Sequence, residues 1–284
     1  MKKNLAVCTM FQDEPEFLPI WIKYYGNQAG LNNCFVIDHG SQFFDKSVFS
    51  AKNIFHLAKT PQDEMQRVNA ISNLTEYLLN YYDTVMYTDI DEIVVANPAK
   101  WSGLQEYCLQ NSAKAVYTVG LNVQHLPDTE RPFSINEGVL RQRPWVRFVS
   151  PMCKPLILRS RVVWSKGFHS CDLPAVVDEI YLFHLRNFDV DVSLKRLART
   201  RLIERRTEAD ELGAAHQRVD DQQVLQWIRS VAGLPKVEVE SLNIDLDPVA
   251  SLLRETFGTE SGKPKLDITG KQLWKTPTIF HDQF

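Results

Sequence analysis

The chain has 284 residues, of which 44% are hydrophobic and 24% charged, and its formal net charge is −3. That length suits one large α/β domain, or one domain with an appendage, and the balance of charge gives no global attraction to nucleic acid. Five scattered cysteines (Cys8, Cys34, Cys108, Cys153, Cys171) with no Cys-x-x-Cys pair read as reduced thiols of a cytoplasmic protein, not as a disulfide frame or a zinc site. No apolar stretch approaches the roughly 18 residues of a membrane span, and the apolar run after Met1-Lys2-Lys3-Asn4 is too short for a signal peptide.

Leu5-Ala6-Val7-Cys8-Thr9 reads as a buried strand. Pro15, after Asp13 and Glu14, fits the first turn of a helix on which Phe17, Ile20, Trp21, Tyr24 and Tyr25 recur, with Gly30 closing it. Cys34-Phe35-Val36-Ile37-Asp38 is a second strand, ending in His39-Gly40-Ser41, and Ile54-Phe55-His56-Leu57 is a short third. Pro61 to Leu79 is a helix with Met65, Val68, Ile71, Leu74 and Leu78 on one face. A strand, Thr84 to Thr88, then leads into Asp89-Ile90-Asp91-Glu92. Such a βαβ series predicts a mostly parallel sheet flanked by helices.

Beyond Glu92 the pattern loosens. Trp101 to Gln110 reads as a helix and Ala115 to Val119 as a strand. Residues 120–150, with Pro127, Pro132 and Pro144, read as a long functional loop, and 156–158 and 162–164 as two short strands. A basic helix follows Asp189, carrying Lys195, Arg196, Arg199, Arg201, Arg205 and Arg206. It suits an anionic membrane surface, an acidic glycan acceptor or, with Glu204, Glu208, Asp210 and Glu211 close behind, a solvated face with internal salt pairs. A further helix runs from about Asp220 to Val231, and the tail from Leu234 has no assignment.

Asp89 and Asp91 carry the chemistry. Two carboxylates two residues apart at the C-terminal end of a strand turn toward one point, at the sheet edge where open α/β folds bind ligands. Oxygen ligands so spaced suit Mn²⁺ or Mg²⁺ shared with a phosphate. The alternative is a strand-end turn with acidic residues facing water.

The surrounding residues carry a resemblance. Thr9-Met10-Phe11-Gln12-Asp13-Glu14 through Pro15, Leu18 and Trp21 resembles the Lys-Asn-Glu, Leu, Glu-Trp opening of glycosyltransferase family 2-like proteins of GT-A fold, with Gln12-Asp13 in place of Lys-Asn. Phe35 to Ser41 is similar to that family's strand and Asp-Asn-x-Ser turn, with Asp38-His39 for Asp-Asn, and Asp83 to Glu92 to its D-x-D-E box. Lys154 to Arg159 with His169, then His184-Leu185-Arg186, resemble downstream elements of relatives. The likeness spans about residues 4–187. It implies a GT-A-like catalytic domain over 1–187, a helical C-terminal extension over 188–284, and sugar transfer from a nucleotide-sugar donor to a glycan or lipid-linked acceptor, with surface polysaccharide synthesis following by analogy alone.

The resemblance implies donor contacts at Thr9 and Asp38, for base and ribose. Arg67 and Lys154 suit the diphosphate, Lys154 also an acceptor, and Asp89 the ribose or the metal. Asp91 is the foremost metal ligand, His169 or His184 joins it on the metal or contacts the diphosphate, and Glu92 supports the site from behind. A general base is sought among Asp128, Glu130, Glu137, Asp172, Asp178 and Glu179, with Asp172 foremost because it follows His169 closely. Two other readings stay open: a non-catalytic nucleotide-sugar-binding protein on the same fold, and a Mg²⁺-dependent phosphatase using the D-x-D.

Overall fold

The computed structural model describes residues 2–42, 53–174, 176–242 and 268–284. Strand β1 (Lys3–Phe11) lies at the centre of the parallel half of the sheet. It pairs in parallel with β2 (Cys34–His39) on one side and β4 (Tyr82–Tyr87) on the other, and β2 pairs in parallel with β3 (Asn53–Leu57). The crossovers explain the direction: α1 (Leu18–Ala29) returns the chain from β1 to β2, and α2 (Glu64–Leu78) from β3 to β4. β1 is buried on both faces. Leu5 and Val7 join the core beneath α1, Ala6 and Cys8 the core beneath α2, which is why its sequence is an unbroken apolar run.

Past β4 the sheet becomes mixed. It continues through β8 (Pro155–Leu158), β6 (Ala115–Val123), β7 (Trp145–Phe148) and β11 (Leu273–Lys275) in antiparallel steps, and ends on β10 (Lys236–Glu238), parallel to β11. The uninterrupted parallel run is therefore the β3-β2-β1-β4 core, and the rest of the sheet is mixed. Five of the described strands were not legible in the sequence: β7, β10, β11 and two more. β5 (Glu92–Ala96) starts on the last residue of the acidic box, and β9 (Val176–His184) pairs with it antiparallel and with β6 in parallel. The helix predicted from Trp101 is shorter, α3 (Leu104–Gln110). The expected long loop at 120–150 holds the end of β6, the short helix α4 (Val139–Gln142) and β7. No strand forms at 162–164, where Trp164 makes an isolated bridge to Cys171.

Among the described residues of the C-terminal part, the α-helices end at Ala232. Helices α5 (Val190–Thr200), α6 (Glu208–Gly213) and α7 (Asp221–Ala232) each begin on a side-chain cap, from Asp189, Thr207 and Asp220. The chain then re-enters the sheet as β10 and β11, and Trp274, Phe280 and Phe284 bury themselves in the same core as Phe17 and Trp21. Among the described residues no helix is long and apolar enough to cross a membrane.

Candidate functional site

A cavity of about 870 Å³ opens at the C-terminal edge of the parallel strands, roofed by α5 and α7. Its floor is the acidic box, held by the aromatic row of α1. Trp21 Nε1 donates to Thr88 Oγ1 (2.8 Å), Tyr25 Oη donates to the Glu92 carbonyl (3.0 Å) and accepts from Val94 N–H (2.8 Å), and Tyr24 Oη donates to the Val94 carbonyl (2.7 Å). The side chains that make α1 amphipathic thus also fix the β4–β5 turn, each buried aromatic finding a partner for its polar atom.

Asp89 is saturated by cations and a phenol. Its Oδ1 accepts from Arg67 Nη1 (2.6 Å) and Tyr87 Oη (2.8 Å), and its Oδ2 from Lys154 Nζ (2.9 Å). Lys154 reaches on to Glu92 Oε1 (2.5 Å), while Glu92 Oε2 accepts from Asp89 N–H (3.0 Å) and closes the turn from behind. Burial opposes the charge on Asp89, but Lys154 and Arg67 outweigh it and hold its carboxyl far below the usual range. Lys154 is likewise kept protonated against burial by Asp89 and Glu92. Arg67 also pairs with Glu64 (2.7 Å) and lies 4.9 Å from the Phe168 ring centroid.

Asp91 is held from a different part of the chain. Its Oδ2 accepts from Arg196 of α5 and lies 3.2 Å from His184 Nε2. Arg196 Nε donates to Glu14 Oε1 (2.8 Å), and its guanidinium lies 4.6 Å from the Phe17 ring centroid. Glu14 is aimed into the cavity by the turn after β1, where Asp13 takes a left-handed backbone (φ 51°) that Asp tolerates. Burial pushes the Glu14 carboxyl up to about 7 in spite of Arg196, and its Oε2 is buried without a partner. Burial opposes the charge on Asp91 too, yet Arg196 and His184 keep its carboxyl well below the usual range.

Asp89, Asp91, Arg67, Lys154, His169 and His184 all line this one cavity, as expected of a common site. Thr9 does not. β1 runs two residues further than expected, so Thr9 is buried mid-strand opposite Val36, and Met10, Phe11 and Gln12 line the cavity instead. Asp38 is also set back, accepting from Ser41 N–H (2.9 Å) with Oδ2 3.0 Å from His56 Nδ1; its neighbour His39 reaches the cavity.

Asp172 is corrected as the base: it is exposed, off the cavity, and caps a turn by accepting from Val163 N–H (2.7 Å). Asp128, Glu130, Glu137, Asp178 and Glu179 do not line the cavity either. Glu130 lies beside Arg143 (3.6 Å), Glu137 pairs with Arg131, Asp178 accepts from Tyr107 Oη (3.1 Å), and Glu179 pairs with Lys100. Glu14 and Arg196 are the residues that sequence reasoning overlooked. Arg196 was visible only as one of six basic residues on a helix, and its partners lie 105 and 182 residues away.

The expected Mn²⁺ or Mg²⁺ site is not assembled by these side chains. Both oxygens of Asp89 and Oδ2 of Asp91 already face protein cations, so a divalent ion would have to displace Arg67 or Lys154 to reach Asp89, and would share Asp91 with Arg196. His169 donates from Nδ1 to the Pro151 carbonyl (2.6 Å), and His184 is turned onto Asp91. Among the described residues no group of three His, Cys, Asp or Glu is arranged to hold a metal. Comparison with protein-family models and with curated proteins gives no match, so the family resemblance rests on this chain's own residues.

Proposed function

We propose that the chain is a glycosyltransferase of GT-A type that transfers a sugar from a nucleotide-sugar donor to a hydroxyl of a glycan or lipid-linked acceptor. The observation that supports this reading is the pair Asp89 and Asp91 on the floor of a large cavity at the C-terminal edge of parallel strands, with Arg67, Lys154 and Arg196 converging on it. A departing nucleoside diphosphate is the ligand whose charge such a cluster suits. In this reading Arg67 and Lys154 neutralise the diphosphate, and Asp89 and Asp91 hold those cations and the ribose. Glu14 is the acid–base group: it lines the cavity and burial sets its carboxyl near neutrality. This reading routes no step through Mn²⁺ or Mg²⁺, since Arg67, Lys154 and Arg196 supply the positive charge around Asp89 and Asp91.

The test is a thermal-shift and calorimetric screen of nucleoside diphosphates and nucleotide sugars, with and without Mn²⁺, on the wild type and Asp91→Ala. A ligand bound by the native state raises its stability by mass action. One nucleotide that stabilises the wild type and not the variant supports the reading and names the donor class. Absence of a shift from every nucleotide overturns it.

A further inference from the structure

The charges lining the cavity do not balance in space. Six carboxylates line it (Glu14, Asp63, Glu64, Asp89, Asp91, Glu92), and each has a cation within ion-pair distance. Five Lys or Arg side chains line it as well. Arg67, Lys154 and Arg196 are the partners of five of those acids, and Asp63 pairs with Arg206 outside the lining. Arg186 and Arg205 face the cavity with no carboxylate partner among the described residues.

These two arginines lie at one place. Arg186 Nη2 donates to the His216 carbonyl (3.0 Å), and Arg205 donates to the side-chain oxygen of the next residue, Gln217, and to Gln62. Both guanidiniums therefore grip the single turn Ala215–Gln217, on the wall built by the C-terminal segment. Their partners are neutral oxygens, and Arg205 Nε is buried with none. The wall carries positive potential. Burial, then Arg196, lowers the Arg186 guanidinium to about 10, and burial with Arg186 and Arg205 pushes the His216 imidazole down to about 4, so His216 is neutral at physiological pH. Both guanidiniums are half-buried, with Asp91 acting on Arg186 and Glu211 and Glu64 on Arg205 only from beyond ion-pair distance, so an anion that meets them gains charge-assisted bonds, and their planar forks suit a carboxylate or phosphate. Trp227 of α7 lines the same cavity and is 39% exposed, which gives a sugar ring an apolar face to rest on.

We propose that Arg186 and Arg205 form an oxyanion subsite separate from the Arg67–Lys154 pair, and that it takes the carboxylate or phosphate of an acidic acceptor. The assignment to an acceptor rests on the transferase reading above; the oxyanion chemistry rests on the arginines alone. In that arrangement the donor diphosphate meets the sheet-edge cations, and the acceptor is recognised by its acid group on the C-terminal wall.

The experiment is calorimetric titration of the full chain with inorganic phosphate, with glucuronate, and separately with uridine and guanosine diphosphates. It compares wild type with Arg186→Gln, Arg205→Gln and Arg205→Lys, each first checked by circular dichroism. Loss of a charge-assisted bond predicts about a tenfold fall in phosphate and glucuronate affinity in either glutamine variant. Arg205→Lys, which keeps the charge and loses the fork, should fall less, and nucleoside-diphosphate affinity should stay at the wild-type value. Phosphate and glucuronate affinities unchanged in both glutamine variants would overturn the proposal. So would a parallel loss of nucleoside-diphosphate binding, since the arginines would then belong to the donor. A wild type that binds no nucleotide but loses phosphate binding in the variants sinks the transferase reading and leaves the oxyanion subsite standing.

Discussion

The two sides of the cavity are built on opposite principles. At the sheet edge every charge is answered: Arg67, Lys154, Asp89 and Glu92 form one closed network. On the C-terminal wall Arg186 and Arg205 have only neutral oxygens as partners. A closed network is stable without a ligand but breaks sharply when one member is removed, because the others stay buried and charged. An open one contributes little to stability and much to recognition. Arg196 joins the two sides, since it sits on α5 and holds Asp91 and Glu14.

The largest effect is expected at Lys154, which is buried between two carboxylates. Lys154→Met leaves Asp89 and Glu92 facing each other and should cost about 3–5 kcal/mol in urea unfolding. A cost below about 1 kcal/mol would show that solvent reaches the pair and that the network is not closed. Arg196→Gln comes next, at about 1.5–3 kcal/mol, since two charge-assisted bonds go while part of the side chain remains in solvent. It should also free α5, read as faster proteolysis between residues 188 and 206. Loss of stability without that cleavage would mean that the helix is held by its apolar face alone.

Titration separates Asp91 from Glu14 on the same arginine. The folded-state pKa of Asp91 is depressed, so the native state binds fewer protons there than the unfolded chain. The stability it contributes is present at neutral pH and is lost as pH falls below about 4. Glu14 has the opposite sign. Its carboxyl is raised from 4.5 to about 7, so the native state favours the neutral form, and stability declines as pH rises across that window. Asp91→Asn should flatten the acid limb of the urea midpoint against pH, and Glu14→Gln the slope between 4.5 and 7. An unchanged slope in Glu14→Gln would remove Glu14 as the group titrating near neutrality.

These predictions divide along the line of what was legible in the sequence. The strand β1, the aromatic row of α1 and the box at Asp89 were readable because period, cap and motif are local. Lys154, His169 and His184 were placed at the site by resemblance, and they do line the cavity. Thr9 failed by a matter of two residues, since nothing local marks where a buried strand stops. Asp172 failed because closeness to His169 in sequence says nothing about direction: the chain turns at Gly167 (φ 71°) and Phe168 (φ 61°), and Asp172 ends on the outside. Glu14 and Arg196 could not be paired from sequence at all, because their contact depends on where α5 packs. The basic helix read equally well as a solvated face, but Arg196 and Arg199 turn inward to Glu14, Asp91 and Glu16, not to the acids that follow them in sequence.

The smallest expected effects concern what the paired network makes unnecessary. If Lys154 and Arg67 supply the counter-charge to the diphosphate, nucleoside-diphosphate affinity should be the same in EDTA and in Mn²⁺. A dependence on Mn²⁺ would place the ion at Asp91, beside Arg196 or in its place, and displacement would show as an effect exaggerated in Arg196→Gln, where the competitor is gone. Lys195, next to Arg196 but exposed, gives the matching control for the membrane reading of α5. Lys195→Gln should change stability by less than about 0.5 kcal/mol. With Arg196 and Arg199 turned inward, one outward lysine gives about 1 kcal/mol toward an anionic surface. Sedimentation with phosphatidylserine vesicles should therefore show weak binding at most, reduced further in the variant. Strong salt-sensitive binding that survives Lys195→Gln would place the membrane contact elsewhere on the chain and detach it from the helix that closes the cavity.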